Sequence, residues 1–307
     1  MELDIEKILN AGDTSPDFKS GFIAIVGRPN VGKSTLLNQI LGEKITITAD
    51  KPQTTRNRII GIYTGDDCQM ILIDTPGIHK PKSRLGKFMT DAAISTFKEV
   101  DHILFMVDDK ISGGTGDRYI LNLLKEVSTA KTLIINKIDT MKPDLFKRIY
   151  DEYDREDVFD EIFGISALNG KNVKLLIEGL KDKLSSGPKY FPAGISTDQP
   201  MRTIASEIIR EKLLLYLKDE VPHGTAVVIE EYNEAPDITK IEAVIYCERK
   251  SHKGIIIGRD GHTLKGIGKD ARLEIEALEG KKVFLKLWVK IKENWRDNPS
   301  FLNNIGY

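Results

Sequence analysis

Two cysteines in 307 residues, Cys68 and Cys247, are too few and too far apart for a disulfide framework, and neither belongs to a C-x-x-C pair that would suggest zinc. That scarcity fits a reducing, cytoplasmic setting. No run approaches the roughly 18 apolar residues of a membrane span. The opening MELDIEKILN lacks the basic-then-apolar order of a secretion signal. Secretion and membrane spanning are therefore not expected, whereas peripheral attachment to the inner face of the cell membrane stays open. Net charge is nearly absent as well, because 45 Lys and Arg stand against 46 Asp and Glu. What is present is ordinary for a soluble globular chain, 40% hydrophobic and 30% charged, and its length predicts about two domains. The near-zero charge hides an uneven distribution. From Arg249 to Arg296 there are nine Lys and four Arg against two Asp and four Glu, a basic surface suited to polyanions.

Residues 21–184 alternate short apolar runs, FIAIVG, QMILID, HILFMVD, TLIIN and IFGIS, with amphipathic stretches such as KSTLLNQIL and NVKLLIEGLKDKL. Fully apolar strands suit a sheet covered on both faces, and the alternation predicts an α/β fold with a mostly parallel sheet and ligands at the strands' C-terminal ends. SSGPKYFPAGISTDQP then concentrates Gly, Pro and Ser without periodicity and reads as a linker. Beyond it the order becomes helix, strand, strand, helix, helix, strand. In the last strand Val283, Leu285, Leu287, Val289 and Ile291 alternate with Lys286, Lys290 and Lys292, giving one buried and one wet face.

GRPNVGKS, Gly27 to Ser34, fits the phosphate-loop pattern GxxxxGK[ST] between a strand and a helix. The loop of Gly27, Arg28, Pro29, Asn30, Val31 and Gly32, with the helix start to Thr35, can wrap phosphates with its backbone NH groups. Lys33 reaches their oxygens and Ser34 can bind Mg²⁺. DTPG (Asp74, Thr75, Pro76, Gly77) ends a strand, where Asp74 can hold Mg²⁺ through water and the Gly77 NH can meet a γ-phosphate. NKID supplies Asn136, Lys137 and Asp139. Asp139 can accept the ring NH and exocyclic amine of guanine, a donor pair adenine lacks. In SAL (Ser166, Ala167, Leu168) the Ala167 NH can donate to the guanine oxygen. Each motif alone is weak; in this order, each at a strand end, they specify a guanine-nucleotide site.

These motifs, with PQTTR, the late IIIGRDGHTLKGIG and the ending LWVKIKENWRDN, resemble the Era family, translation-factor-related GTPases with an RNA-binding module. The resemblance implies a P-loop GTPase domain over 21–186, a linker over 187–200 and a smaller α+β KH domain of type II with a C-terminal tail over 201–307. Residues 1–20 form an extension to which it assigns no role. It implies binding of GTP and GDP and slow hydrolysis of GTP to GDP and phosphate, with Lys33, Thr55, Gly77 and Asn30 as the catalytic set. Ser34, Thr55 and Asp74 would hold Mg²⁺, with Thr54 the alternative to Thr55. After DTPG, where Ras-like GTPases carry a water-orienting glutamine, this chain has Ile78, which cannot polarise water. An asparagine at the position of Asn30 holds K⁺ in related GTPases, so K⁺ stimulation is implied. His79, Asp108 and Asp109 read more simply as switch and turn residues than as acids or bases, and the acidic run Asp151 to Glu161 as a solvated face and loop.

The second glycine segment lacks the lysine and hydroxyl of a nucleotide loop. GRDG, Gly258 to Gly261, fits the GxxG loop of a KH domain, which clamps the backbone of about four unpaired nucleotides. Gly258, Arg259, Asp260 and Gly261 would meet RNA, with Lys253, Lys265 and Lys269 alongside and Trp295 and Arg296 stacking or contacting it. Ile255 to Ile257 read as core. The target implied by the resemblance is the single-stranded 3′ end of small-subunit ribosomal RNA, in assembly of the small ribosomal subunit. The alternative is a GTP-dependent switch whose basic C-terminal domain binds an anionic membrane surface. A metabolic phosphotransferase is opposed by NKID.

Guanine selection is expected to hinge on Asp139. Asp139→Asn leaves the base's two donors without their common acceptor and should weaken GTP binding by about 2–5 kcal/mol, while xanthosine triphosphate, whose extra carbonyl suits an amide, binds better. Unchanged GTP affinity in a nucleotide titration would remove NKID from the base site.

Overall fold

The computed structural model describes residues 17–49, 51, 54–81, 83–109 and 115–307. These fall into two compact units, one holding 55–80 and 89–198 with the chain up to residue 45, the other 199–307 with 46–54 and 81–88. Residues 1–16 of the N-terminal extension, and Pro52 and Gln53 of the PQTTR motif, lie outside the described residues.

The first unit contains strands β1 (Lys19–Gly27), β2 (Ile59–Thr64), β3 (Cys68–Asp74), β4 (His102–Val107), β5 (Ala130–Ile135) and β6 (Glu161–Gly164). Its helices are α1 (Lys33–Leu41), residues 89–95 of α2 (Arg84–Ser95), α3 (Thr115–Lys125), α4 (Pro143–Asp154) and α5 (Val173–Lys183). The strands form one sheet in the order β2-β3-β1-β4-β5-β6. All neighbours are parallel except β2, which runs antiparallel to β3. Successive residues of β1 serve opposite cores, as the two-residue period of a strand requires. Ile23 and Ile25 pack with Leu36 and Leu37 of α1 and Leu176 and Leu180 of α5. Ala24 and Val26 pack with Ala93 of α2, Ile120 and Leu124 of α3 and Ile149 of α4. Burial on both faces is why these strands read as unbroken apolar runs.

Two elements escaped the periodicity. IIGIYT becomes β2, its glycine lying against α1, where a Cβ on Gly61 would come 2.6 Å from Leu37 Cδ1. PDLFKRIYDEYD becomes α4, opened by a proline at its first turn and anchored by the buried Ile149 and Tyr153. The start of the acidic run is therefore helix, and its Glu152 and Glu156 pair with Arg118. The stretch read as a linker runs along the first unit as far as residue 198. Ile62 N donates to Ser196 O at 2.7 Å and Phe191 N to Gln69 Oε1 at 2.9 Å.

The second unit follows the expected order: α6 (Met201–Tyr216), β7 (Thr225–Glu234), β8 (Ile238–Cys247), α7 (Lys250–Ile257), α8 (His262–Glu279) and β9 (Lys282–Ile291), with a short α9 (Pro299–Asn304) after them. β8 is central, antiparallel to β7 and parallel to β9, the latter made possible by the crossover through α7 and α8. The core draws Ile209 and Leu213 from α6, Ile241 and Ile245 from β8 and Ile267 and Ile275 from α8. β9 alternates as anticipated through Val289, but Ile291 is exposed at the strand's end, and the opposite face carries exposed Phe284 and Trp288 among its lysines. Of Ile255 to Ile257 only Ile256 is core; Ile255 is half exposed, because one helical turn cannot bury three consecutive residues. Both cysteines are buried free thiols. Among the described residues no helix is long and apolar enough to cross a membrane.

Candidate functional site

In the first unit the motifs converge at the C-terminal ends of β1, β3, β5 and β6, on either side of the point where the strand order reverses. The phosphate loop leaves β1 at Gly27 and enters α1 at Lys33. Two glycines are dictated by space. Gly32 has φ 107, and a Cβ there would collide with the Asn136 amide. A Cβ on Gly77 would come 2.6 Å from Pro29 N, so DTPG lies directly against the loop. Lys33 is buried, and its Nζ donates to Gly27 O at 3.2 Å and Arg28 O at 2.9 Å. Burial pushes this ammonium down to about 8 despite the opposing charge of Asp74.

Beside the lysine, three oxygens gather. Ser34 Oγ donates to Asp74 Oδ2 at 2.6 Å and lies 2.8 Å from Thr55 Oγ1, which donates to the same carboxylate oxygen at 3.3 Å. Asp74 Oδ1 is buried without a hydrogen-bond partner, and burial raises the carboxyl above its ordinary pKa. A hard-oxygen set with an unmatched buried carboxylate oxygen fits Mg²⁺. Thr54, the alternative, has its hydroxyl on Lys51 O at 2.6 Å and Ala49 O at 3.1 Å, capping its own turn.

On the base side Asn136 is a strut. Its Nδ2 donates to Val31 O at 2.8 Å and its Oδ1 accepts from Ala167 N at 2.9 Å. The Ala167 NH assigned to guanine is thus already engaged, and a base oxygen must share it or take it over. Lys137 adopts φ 65 and donates to Asn30 O at 3.2 Å and Asp108 Oδ2 at 3.1 Å. Asp139 and Leu168 are exposed, and Ser166 is buried. Thr75 gives its hydroxyl to Ile25 O at 2.7 Å, tying the DTPG turn to β1. Ile78 is completely buried in the core, and its NH donates to Gly27 O at 3.1 Å. The position that would orient water is therefore occupied by a side chain facing away from solvent. Asp108 is no free base either: with Asp117 it binds the Arg28 guanidinium, linking side chains that no motif had joined.

In the second unit GRDG projects between α7 and α8. Gly258 (φ 74) would place a Cβ 2.7 Å from Thr263 Cβ, and Gly261 (φ 75) starts α8. Asp260 shares the left-handed conformation at φ 51. Arg259 and Asp260 are almost wholly exposed and 3.9 Å apart, an ion pair worth little in water. Lys265 and Lys269 are exposed one turn apart on α8, with Lys253 half-buried on α7. The Trp295 indole does not join them as a ligand-facing group. The Trp295 indole is fully buried, donates to Gly224 O at 3.0 Å and meets Phe301 edge-on, while Arg296 holds Glu248 with two hydrogen bonds of 3.0 and 2.6 Å. A buried indole offers no face to a base. A lone tryptophan after a strand carries no period from which its burial could be read.

Comparison with known proteins matches the family model described as 50S ribosome-binding GTPase over residues 22–137 and that of the KH domain over 220–296. The chain is 56% identical over 294 residues to the GTPase Era of Clostridioides difficile (strain 630), covering 94% of this chain and 99% of that protein. Over 292 residues it is 54% identical to the GTPase Era of Alkaliphilus oremlandii (strain OhILAs), with the same coverage. A crystal structure of Era in complex with MgGDPNP and nucleotides 1506–1542 of 16S ribosomal RNA superposes with a TM-score of 0.91 at 39% identity, over 94% of this chain and 99% of that one. A variant of Aquifex aeolicus Era bound to GDP·AlF₄⁻ gives 0.90 at 39%, with the same coverage.

The burial of Trp295 makes a measurable claim. Trp295→Ala should destabilise the folded protein by about 3–5 kcal/mol through lost burial and an unmatched Gly224 carbonyl. An unfolding midpoint in urea equal to wild type would show that the indole is not part of the core.

Proposed function

The chain belongs to the Era family of GTPases, and from that premise we propose that it binds Mg²⁺ and GTP in the first unit, hydrolyses the nucleotide slowly, and grips the single-stranded 3′ end of small-subunit ribosomal RNA with GRDG, in assembly of the small ribosomal subunit. The observation that carries the nucleotide reading is the meeting of Ser34, Thr55 and Asp74 beside a buried Lys33 on a phosphate loop. The RNA reading is supported by the exposed glycine-framed loop, and by the relative solved with nucleotides 1506–1542 of 16S ribosomal RNA.

Mechanism follows from what the residues can and cannot do. Backbone NH groups of 27–35, Pro29 having none, and the Lys33 ammonium bind the phosphates, and Gly77, pressed on Pro29, brings its amide to the γ end. Ser34, Thr55 and Asp74 would hold Mg²⁺, which supplies positive charge against the phosphate oxygens. Asp139 and Ala167 select the base, with the Lys137 stem along it. Ile78 offers water no partner, so water must be oriented by backbone groups, which is the basis for slow turnover. The amide oxygen of Asn30, in the same loop, suits a weakly hydrated cation such as K⁺, which would supply the charge an arginine finger gives elsewhere.

Two measurements test this. Hydrolysis should be at least several-fold faster in K⁺ than in Na⁺ at matched ionic strength, and Asn30→Ala should level the two rates; equal wild-type rates dismiss the monovalent cation. Arg259→Asp should weaken binding of single-stranded ribosomal 3′-end RNA by about 1–3 kcal/mol. Wild-type affinity should fall with salt at a slope of about −0.7 per phosphate contacted. If the variant binds as tightly as wild type, RNA lies elsewhere, along the face of Lys286 and Lys290.

A further inference from the structure

Arg28 is the second residue of GRPNVGKS, where its backbone belongs to the phosphate cradle, yet its side chain serves another purpose. Its Nε donates to Asp117 Oδ1 at 2.6 Å and its Nη2 to Asp108 Oδ1 at 2.8 Å. The other oxygen of Asp108 accepts from Lys137 Nζ at 3.1 Å, and that same ammonium donates to Asn30 O, back in the phosphate loop, at 3.2 Å. Four charges thus alternate in a chain, Asp117, Arg28, Asp108, Lys137, drawn from four separate segments: the first turn of α3, the phosphate loop, the end of β4 and the base loop.

Both carboxylates are sealed, their side chains 2% exposed. Removing charges from water is costly, and an apolar set of equal volume would often be as stable, so a buried ion chain is weak evidence for stability alone. What it does impose is direction. The guanidinium is a rigid planar fork whose two arms are fixed here by two acceptors, a constraint an ammonium cannot reproduce. Gly116 leaves the room for it, since a Cβ there would come 2.8 Å from Arg28 Cδ. A nucleoside diphosphate must reach from the phosphate loop to Asp139, so the spacing of those loops has to match the ligand's length.

We propose that Arg28, Asp108 and Asp117 are positioning residues for the nucleotide, an alternating-charge clasp that fixes the phosphate loop against the base loop. The Arg28 side chain then acts on the ligand through loop geometry and not by touching it. The proposal rests on the guanine-nucleotide reading of this site. It adds a role for two carboxylates that lie in none of the nucleotide motifs.

The test uses the full-length protein and release of fluorescently labelled GDP in stopped flow. Asp108→Asn should release GDP roughly ten- to a hundredfold faster, because it frees both loops at once. Turnover at saturating GTP should change by a smaller factor than release, since no group at the reacting phosphate is altered. Asp117→Asn should have a smaller effect on release, and in an Arg28→Gln background it should add less than twofold, because its part in the clasp runs through the guanidinium. Should Asp108→Asn not fold, Arg28→Lys carries the test: it keeps the charge but not the fork, and should release GDP at least several-fold faster. Wild-type release rates in the folded variants overturn the clasp, as does a loss of turnover equal to the gain in release. Wild-type protein that fails to bind GDP overturns the nucleotide reading itself, and the clasp with it.

Discussion

A loop that offers its own amide groups to a ligand cannot also commit them to a helix or sheet, so its shape must be imposed from outside. The rest of the first unit answers to that constraint. Gly27 O receives the Ile78 NH and the Lys33 ammonium, Val31 O receives the Asn136 amide, and Asn30 O receives Lys137. The loop is held by its carbonyls, which leaves the opposite side of each peptide for phosphate. Gly32 and Gly77 are glycines because the struts come so close that a side chain would displace them. Parallel strands buried on both faces make the platform on which struts from β1, β3, β4 and β5 meet at one end.

GRDG solves a related problem by other means. Here no struts among the described residues surround the loop; it projects, and its left-handed residues Gly258, Asp260 and Gly261 turn the chain within itself. The first loop is enclosed around a compact anion, and the second stands open beside a helix start, as an extended polymer requires. The cation at its tip is almost fully solvated, so what it gives a phosphate backbone is steering charge more than a desolvated bond.

Much of this was legible in the residues. The phosphate loop, DTPG, NKID and SAL could be ordered at strand ends because each motif needs backbone geometry that only a strand end supplies, and the helix and strand order around GRDG followed from periodicity. What stayed hidden has physical reasons. β2 is interrupted by Gly61, a residue there for close packing that lowers strand propensity. α4 begins at Pro143 and runs through charged residues, with only two buried positions to reveal it. The inward turn of Trp295, and the pairing of Arg28 with Asp108 and Asp117 across 80 and 89 residues, depend on where separate segments meet, which local pattern does not encode.

The two thiols complete this picture of enclosure. Cys68 stands at the start of β3 and Cys247 at the end of β8, one in each unit, and burial pushes both above their ordinary pKa. Since the thiolate is the reactive form, both side chains are shielded twice, by lack of access and by lack of charge. A single cysteine introduced on the surface would then be the one fast-reacting sulfur at neutral pH. The wild-type background can therefore accept a maleimide dye in either unit without first removing its own cysteines.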